Sequence, residues 1–395
     1  MYYDEWSAKE LLSESVDRFA IDGDEEVGGF MTAWDERQVR VVQHIEGSGV
    51  GRDRYPYISH FGLQYLLVKR LGSWGVSALS LLSGLGMICV IAGLAAFSER
   101  EFGRLSGIAI VVAFSFSPLM VIHSLNPYWM IFLSFLPFMA VLILYPRART
   151  TVQFAGICSL AGLLIFLKAL TGYEYLSAIA LGAALPVIYY EWSTATRNDL
   201  ALARRIVRRG FAIGVSSVLG FLLAASLHIA KAAAFFGSFS KGFAAFVTPI
   251  NYSTYDSPAG LREDIVVDIP SVLGAAMDTF LKYNFPITML LYSLLFASTI
   301  VLINRSGRSP RRWWSSAGRK YQALFITWLF SIIGSVSWVF LAARHSIPHA
   351  FINWILAYMF MNVFAALLLG RNLALLQASP ELMRAQVGDV ARPGE

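Results

Sequence analysis

Charged residues are scarce in this 395-residue chain, and long apolar runs take their place. Only 15% of the residues are Asp, Glu, Lys or Arg, whereas 56% are hydrophobic. A water-soluble globule cannot bury that much apolar surface, so the composition excludes an ordinary soluble enzyme. The composition predicts a protein that folds in a lipid bilayer.

Cysteines and the common cofactor motifs are also lacking. The two cysteines, Cys89 and Cys158, fall in separate apolar runs without disulfide or metal-site spacing. No Gly-rich phosphate loop, paired CxxC motif or HExxH helix occurs, so soluble nucleotide or zinc-protease chemistry has no support. The net charge of +6 is explained by arginines in loops that face anionic headgroups, and nucleic acid is not needed to account for it.

Nine apolar stretches have roughly the length that a helix needs to cross the ~30 Å hydrocarbon core, and the fifth is the shortest. They predict an all-α fold, a polytopic transmembrane helix bundle over residues 73–370. The predicted spans are 73–97, 105–122, 127–145, 152–170, 176–190, 211–234, 286–304, 324–343 and 350–369.

Arginines in the connections alternate between loops, and this alternation predicts the orientation of the bundle. Loops 99–104, 146–151, 191–210 and 305–320 are basic, whereas each of the short turns 123–126, 171–175 and 344–349 carries at most one Lys or Arg. Basic loops are retained in the cytoplasm. We therefore expect a multi-pass inner (cell) membrane protein with a cytoplasmic tail, 371–395. Residues 1–72 and the long loop 235–285 are then external.

The first 72 residues are acidic and contain no apolar run that could carry them outside. Lys69 and Arg70 also oppose an external placement. Either the first span exports its own N-terminus, or a preceding transmembrane helix is missing from this sequence; we favour the second explanation. Apolar residues recur at helical spacing in 34–45, which predicts a surface amphipathic helix with Asp35 and Glu36 in its first turn. Helix capping by this pair is the simpler interpretation.

Two external turns concentrate ionisable residues. In the turn KALTGYEYL, Lys168 and Glu174 either form an ion pair that closes the helical hairpin, or Glu174 is a second acidic residue of the site that orients the acceptor or binds a metal. In the turn RHSIPH, Arg344 binds a phosphate with His345 or His349, or else it extends to lipid headgroups. A zinc site on the two histidines is disfavoured because Pro348 interrupts a helix through both.

Other polar residues are candidates for substrate binding on the same face. His60 lies in an interfacial aromatic segment, while Tyr252 and Tyr255 in the long loop are available to stack on a sugar. His228, inside the sixth span, is most simply a polar contact within the bundle. The further candidates are His123, Asn126 and Tyr173.

The order of features from Asp35 to Tyr145 resembles that of GT-C membrane glycosyltransferases, such as protein mannosyltransferases and lipid A aminoarabinose transferases. The resemblance covers about a third of the chain. The matching features are the acidic pair, the Tyr55–Pro56 dipeptide, the turn FSEREFGRLSG and the stretch FSFSPLMVIHSLNPYW. His123 and Asn126 stand where that superfamily often has an acid, which weakens a two-acid metal site. The GYEY and RHSIPH segments also resemble uncharacterised bacterial polytopic membrane proteins.

The resemblance implies transfer of a sugar from a polyprenyl-phosphate donor to the hydroxyl of a glycan, lipid or protein acceptor at the external face. Asp35 or Glu36 would be the general base. Lys168, Arg344 and the two neighbouring histidines would stabilise the departing phosphate. No clear motif supports a divalent metal, and the cofactor is unknown.

Two other functions fit the same spans. One is a noncatalytic or export component of a cell-surface polysaccharide system, in which the external acidic residues could be replaced by neutral ones without loss of function. A transporter or flippase needs polar groups and broken helices near mid-membrane, where most of these spans are apolar.

Overall fold

The computed structural model describes residues 30–32, 54–56, 61–196, 199–253, 267–279, 287–347, 353 and 355–378. Within these ranges the regular secondary structure is helical apart from two three-residue strands. Strands β1 (Phe30–Thr32) and β2 (Arg54–Pro56) pair antiparallel, with Phe30 opposite Pro56. The all-helical bundle agrees with the predicted fold class.

Fifteen α-helices are present in the described part of the chain. They are α1 Leu63–Leu71, α2 Gly75–Phe102, α3 Arg104–Ser115, α4 Pro118–Ser124, α5 Phe132–Leu144, α6 Thr151–Thr171, α7 Leu176–Thr194, α8 Leu202–Phe236, α9 Phe239–Ser253, α10 Ile269–Met277, α11 Ile287–Ser306, α12 Pro310–Ser316, α13 Arg319–Leu341, α14 Ala343–Ser346 and α15 Asn362–Gln377.

Six helices of the described part are long and apolar enough to cross a membrane. They lie in α2, α6, α8, α11, α13 and the segment 357–377 that contains α15. The predicted count of about nine spans is not confirmed. The stretch 105–122 is divided into α3 and α4, α5 has only 13 residues, and α7, with 19 residues, is not among the six.

Local signals in the sequence fix where several helices begin and end. Thr150 caps α6 through its Oγ1, which accepts a hydrogen bond from Gln153 N (3.2 Å), and Gln153 Oε1 accepts one from Thr150 N (3.2 Å). Asp268 caps α10 by accepting a hydrogen bond from Ser271 N (2.8 Å), and these hydrogen bonds lower the pKa of Asp268. Gly237, with φ 65°, ends α8 in the left-handed conformation that favours glycine.

Small residues let α6 and α8 pack closely. The backbone of Gly162 lies against Gly220, so that a Cβ atom at Gly220 would overlap the Gly162 carbonyl oxygen. Ser216 Oγ donates a hydrogen bond to the Cys158 carbonyl oxygen (2.6 Å) across the same crossing. Close backbone approach at small residues is the usual geometry of helix pairs in membranes.

The helical segment directly before α15 is broken deep inside the bundle. The segment Ala357–Met361 contains two residues with non-helical backbone, and one of them, Phe360, has φ 89°. The ring of Phe360 packs against Gly182 of α7, and Ser335 Oγ donates a hydrogen bond to the carbonyl oxygen of Met359 (3.2 Å). The break is therefore held by contacts with two neighbouring helices.

Two asparagines on α15 form hydrogen bonds with side chains of neighbouring helices inside the bundle. Asn362 Oδ1 accepts a hydrogen bond from Tyr292 OH (3.1 Å), and its Nδ2 donates one to Thr288 Oγ1 (3.1 Å). Asn372 is buried and accepts a hydrogen bond from Tyr321 OH (3.0 Å). These hydrogen bonds join α15 to α11 and α13.

The basic loops meet at one end of the bundle, which we call the arginine end. Buried Glu191 binds Arg205 Nε through Oε2 (2.7 Å), while its Oε1 contacts Arg209 and accepts a hydrogen bond from Tyr145 OH (2.6 Å). Arg205 also binds both oxygens of Asp199. Although burial alone raises the pKa of Glu191, the hydrogen bonds from Arg205 and Tyr145 lower it overall. These hydrogen bonds and ion pairs stabilise the connection between α7 and α8.

Candidate functional site

The end of the bundle opposite the arginine end gathers most of the candidate residues that the structure describes. Three turns meet there: α4 to α5, α6 to α7, and α13 to α14. We call the residues that line these turns the turn cluster. Its members are His123, Asn126, Trp129, Lys168, Tyr173, Glu174, Tyr175, Trp338 and Arg344.

The turn between α6 and α7 positions Lys168 and Glu174. Lys168 is buried in the last turn of α6, where its Nζ donates to the carbonyl oxygen of Gly172 (3.4 Å). Glu174 is half-buried and folds its carboxylate against Gly172. No ion pair within 4 Å joins Lys168 to Glu174 in the described part of the chain, although the two charges attract each other. The hairpin is therefore closed without the salt bridge that one interpretation predicted.

Tyr175 connects this turn to an aromatic wall. It is buried and adopts the left-handed conformation (φ 65°) that starts α7, a conformation that non-glycine residues rarely take. Its ring lies 5.8 Å from that of Trp129 and 5.5 Å from that of Trp338, measured between centroids. Trp129, Tyr175 and Trp338 thus form a continuous row of packed rings, which we call the aromatic wall.

His123 lies at the far end of the aromatic wall. Its ring centroid is 4.8 Å from that of Trp129, and the side chain is buried. Burial lowers the pKa of His123 to about 4, so the imidazole is neutral at pH 7. Asn126 Oδ1 accepts a hydrogen bond from Tyr128 N (2.9 Å) and so shapes the turn. This hydrogen bond gives Asn126 a part in shaping the turn, and its role in substrate binding stays a prediction. His123 can serve as a neutral polar or stacking group.

Gln64 links α1 to two of these turns and is not among the residues predicted from the sequence. Its Nε2 donates to the carbonyl oxygens of Tyr128 (3.2 Å) and Thr171 (2.8 Å). The side chain is completely buried. A glutamine inside the apolar run HFGLQYLL is the signal that could have identified it, because a buried amide needs partners.

Tyr173 faces the other side of the same turn. Its hydroxyl oxygen lies 2.9 Å from His228 Nδ1, and its ring lies 5.8 Å from that of Phe246 on α9. The contact joins the α6–α7 turn to α8 and agrees with the predicted role of His228 as a polar contact inside the bundle. Tyr173 is thereby held in place beside Glu174.

The structure places some of the candidate residues and leaves others outside the described part. Arg344 is half-buried on α14, which contacts α9, α10 and α13. Outside the described residues lie Asp35, Glu36, His60, Tyr255 and His349, together with the side chains of Tyr252 and His345. Among the described residues, no group of three or more His, Cys, Asp or Glu side chains could hold a metal ion.

Comparisons with known protein families, with curated proteins and with solved structures found no match to this chain. The resemblance to GT-C glycosyltransferases therefore stays a prediction. The turn cluster itself offers a carboxylate, a buried ammonium group, a guanidinium group and an aromatic surface. Together these groups suit a ligand that carries both a negative charge and an apolar or sugar face.

Proposed function

We propose that this chain is a membrane glycosyltransferase that moves a sugar from a polyprenyl-phosphate donor to an acceptor hydroxyl at the external membrane face. The turn cluster is the proposed reaction site. The observation that carries the proposal is the position of Glu174: its carboxylate is half-exposed, forms no ion pair in the described part of the chain, and lies beside Lys168 and the aromatic wall.

Glu174 is the proposed general base among the described residues. Attack on the anomeric carbon requires a group that removes the proton of the acceptor hydroxyl, and a carboxylate within hydrogen-bond reach can do so. A carboxylate already neutralised by an ion pair would be a weaker base. Asp35 and Glu36 of the first segment are further candidates for the same role, as the resemblance implies.

Lys168 and Arg344 are the proposed groups that stabilise the departing lipid phosphate. A buried ammonium is costly unless negative charge lies near it, and the Gly172 carbonyl at 3.4 Å is a weak partner. A donor phosphate would supply that charge, and the interaction would strengthen as the bond to the sugar breaks. Arg344 offers a planar fork that matches two phosphate oxygens.

The aromatic wall is the proposed platform for the sugar. Trp129 and Trp338 are half-buried and would present ring faces on either side of buried Tyr175. Ligand sites commonly combine such apolar surfaces with a few oriented polar groups. His123, neutral because it is buried, and Tyr173 provide polar groups at the two sides of the wall. His60, Tyr252, Tyr255, His345 and His349 are proposed to complete the site.

One observation favours a second candidate, an export or flippase component of a polysaccharide assembly system. The segment Ala357–Met361 is a broken helix inside the bundle, and transporters often use broken helices beside their substrate path. However, Asn362 and Asn372 are hydrogen-bonded to neighbouring helices. These hydrogen bonds also fit a purely structural role for the polar groups near the break, so we rank this candidate second.

A transfer assay separates the two candidates. Purified protein in liposomes would be incubated with radiolabelled polyprenyl-phosphate sugars and a membrane extract as the source of acceptors. A transferase moves the labelled sugar to an acceptor, and the labelled product then separates from the lipid-linked donor on solvent extraction. An export component moves the labelled donor between leaflets without breaking the bond between sugar and phosphate. Movement with an intact donor contradicts the proposal.

A further inference from the structure

The helices α9 and α10 expose apolar stripes although neither is among the six membrane-spanning helices. On α9, Phe239 is 72% exposed and Phe243 is 48% exposed, and their rings stack with centroids 6.5 Å apart. Val247 and Ile250 continue the same face at helical spacing and are half-buried. On α10, Ile269, Leu273 and Met277 are exposed at intervals of four residues.

Charge is almost absent from both helices. Lys241 is the single charged residue of α9, and it falls outside the exposed stripe; α10 contains none. A helix that lies in water normally carries charged or polar residues on its free face. The free faces of α9 and α10 instead have the composition of a surface that is covered by something apolar.

The position of α9 indicates what covers it. Gly237 reverses the chain at the end of α8, and a Cβ atom at Gly242 would overlap the backbone of Ala233, so α9 folds back against the last turns of α8. Phe246 reaches His228 (5.9 Å between ring centroids) and Phe221 (6.4 Å). Thus α9 lies alongside the apolar part of α8, and not beyond its end.

The face of α8 in this region is itself exposed and apolar, with Leu219, Leu222, Leu223 and Leu227 along it. This face belongs to a helix that is long and apolar enough to span the membrane. The stripe of α9 lies beside that surface because α9 packs along α8, and α10 lies near α9 because both helices contact α14. A lipid leaflet that covers α8 would therefore cover the stripes as well.

We infer that α9 and α10 are embedded in the lipid leaflet beside the turn cluster, with Phe239, Phe243 and the Ile269–Met277 stripe in contact with acyl chains. The inner side of α9 packs against Tyr173 through Phe246. The two helices thus form the wall between the lipid and the turn cluster, whatever reaction occurs there.

Site-directed spin labelling tests the inference without any assay of activity. Single cysteines are introduced by Phe239→Cys, Phe243→Cys and Leu273→Cys in a background with Cys89→Ala and Cys158→Ala. The labelled proteins are reconstituted in vesicles of phosphatidylethanolamine and phosphatidylglycerol. Power-saturation EPR then compares collisions of each nitroxide with oxygen, which concentrates in lipid, and with a water-soluble nickel chelate.

Two further positions provide matched references. Leu219→Cys on α8 is 61% exposed in the apolar part of a spanning helix and reports lipid, whereas Leu200→Cys is 98% exposed beside Asp199 at the arginine end and reports water. The inference predicts that labels at 239, 243 and 273 have an oxygen-to-nickel ratio close to that at 219 and well above that at 200. A ratio like that at 200 contradicts it. Protection from both reagents also contradicts it, because it would indicate a second protein chain on the stripes.

Discussion

The carboxylate of Glu174 lies against the α-carbon of Gly172, where α6 gives way to the turn before α7. A Cβ atom at residue 172 would overlap Glu174 Oε2. Gly172 has φ 165°, an extended conformation that any residue can adopt. Glycine is therefore needed at this position for space, and not for its backbone freedom.

This relationship predicts the effect of Gly172→Ala. The new methyl group displaces the Glu174 carboxylate, which is the mobile end of a side chain, and leaves the packed helices in place. A displacement of about 1 Å can lower a rate about 100-fold, so we expect transfer to fall by roughly 10- to 100-fold. The melting temperature in detergent should change little.

Gly156→Ala is the matched control on the same helix. A Cβ atom at Gly156 meets nothing within 4 Å, so this variant should retain wild-type transfer. If Gly172→Ala transfers sugar as fast as Gly156→Ala, the position of the Glu174 carboxylate does not matter for the reaction.

The crossing of α6 and α8 makes a prediction about stability. Gly220→Ala places a methyl group against the carbonyl oxygen of Gly162, and backbone atoms cannot move aside as a side chain can. We expect a loss of about 1–3 kcal/mol in the free energy of unfolding, as for overpacked cores. Gly214→Ala on the same helix has open space and should be neutral or slightly stabilising. Equal melting temperatures for the two variants would contradict the close crossing.

The Glu191 network predicts a pH dependence at the arginine end. Because its pKa is lowered in the folded state, ionised Glu191 stabilises the fold above its unfolded pKa of about 4.3. This contribution is lost as the pH falls through the lowered folded pKa. Glu191→Gln should therefore cost about 1–3 kcal/mol at pH 7.

Thermal unfolding in detergent from pH 7 to acid checks this prediction. The difference between wild type and Glu191→Gln should shrink as the pH falls below about 4, because wild type then loses the same charge. Glu99→Gln, at an exposed residue near the same end, is the control and should match wild type at every pH. A difference that stays constant into acid would show that the charge of Glu191 does not stabilise the fold.

The sequence predicted the features that depend on local pattern. Apolar stretches gave the long helices, and Gly172 between Lys168 and Glu174 indicated a tight turn, which is present. The arginine-rich loops do meet at one end of the bundle. Which side of the membrane that end faces stays a prediction, as does the external placement of residues 1–72.

Features that depend on residues far apart in the chain could not be predicted. Gln64 binds carbonyl oxygens 64 and 107 residues away, and no periodicity in the sequence encodes such a contact. The break at Phe360 is held by Gly182 and Ser335 on other helices, so the sequence around Phe360 alone indicated a regular span. The stretch 105–122 is divided at Phe116 and Ser117 for a local reason, because Pro118 disfavours helical backbone just before it. Apolar length alone therefore overestimates the helix here.

Glu174 is the proposed base in sugar transfer at the turn cluster. Its most direct test is the rate of transfer from radiolabelled polyprenyl-phosphate sugar by reconstituted wild type, Glu174→Gln and Glu99→Gln at equal protein amounts. The amide keeps the size of the side chain but cannot accept the proton, so Glu174→Gln should be about 100- to 10,000-fold slower. Glu99→Gln should match wild type. Equal transfer by all three proteins would contradict the proposed site.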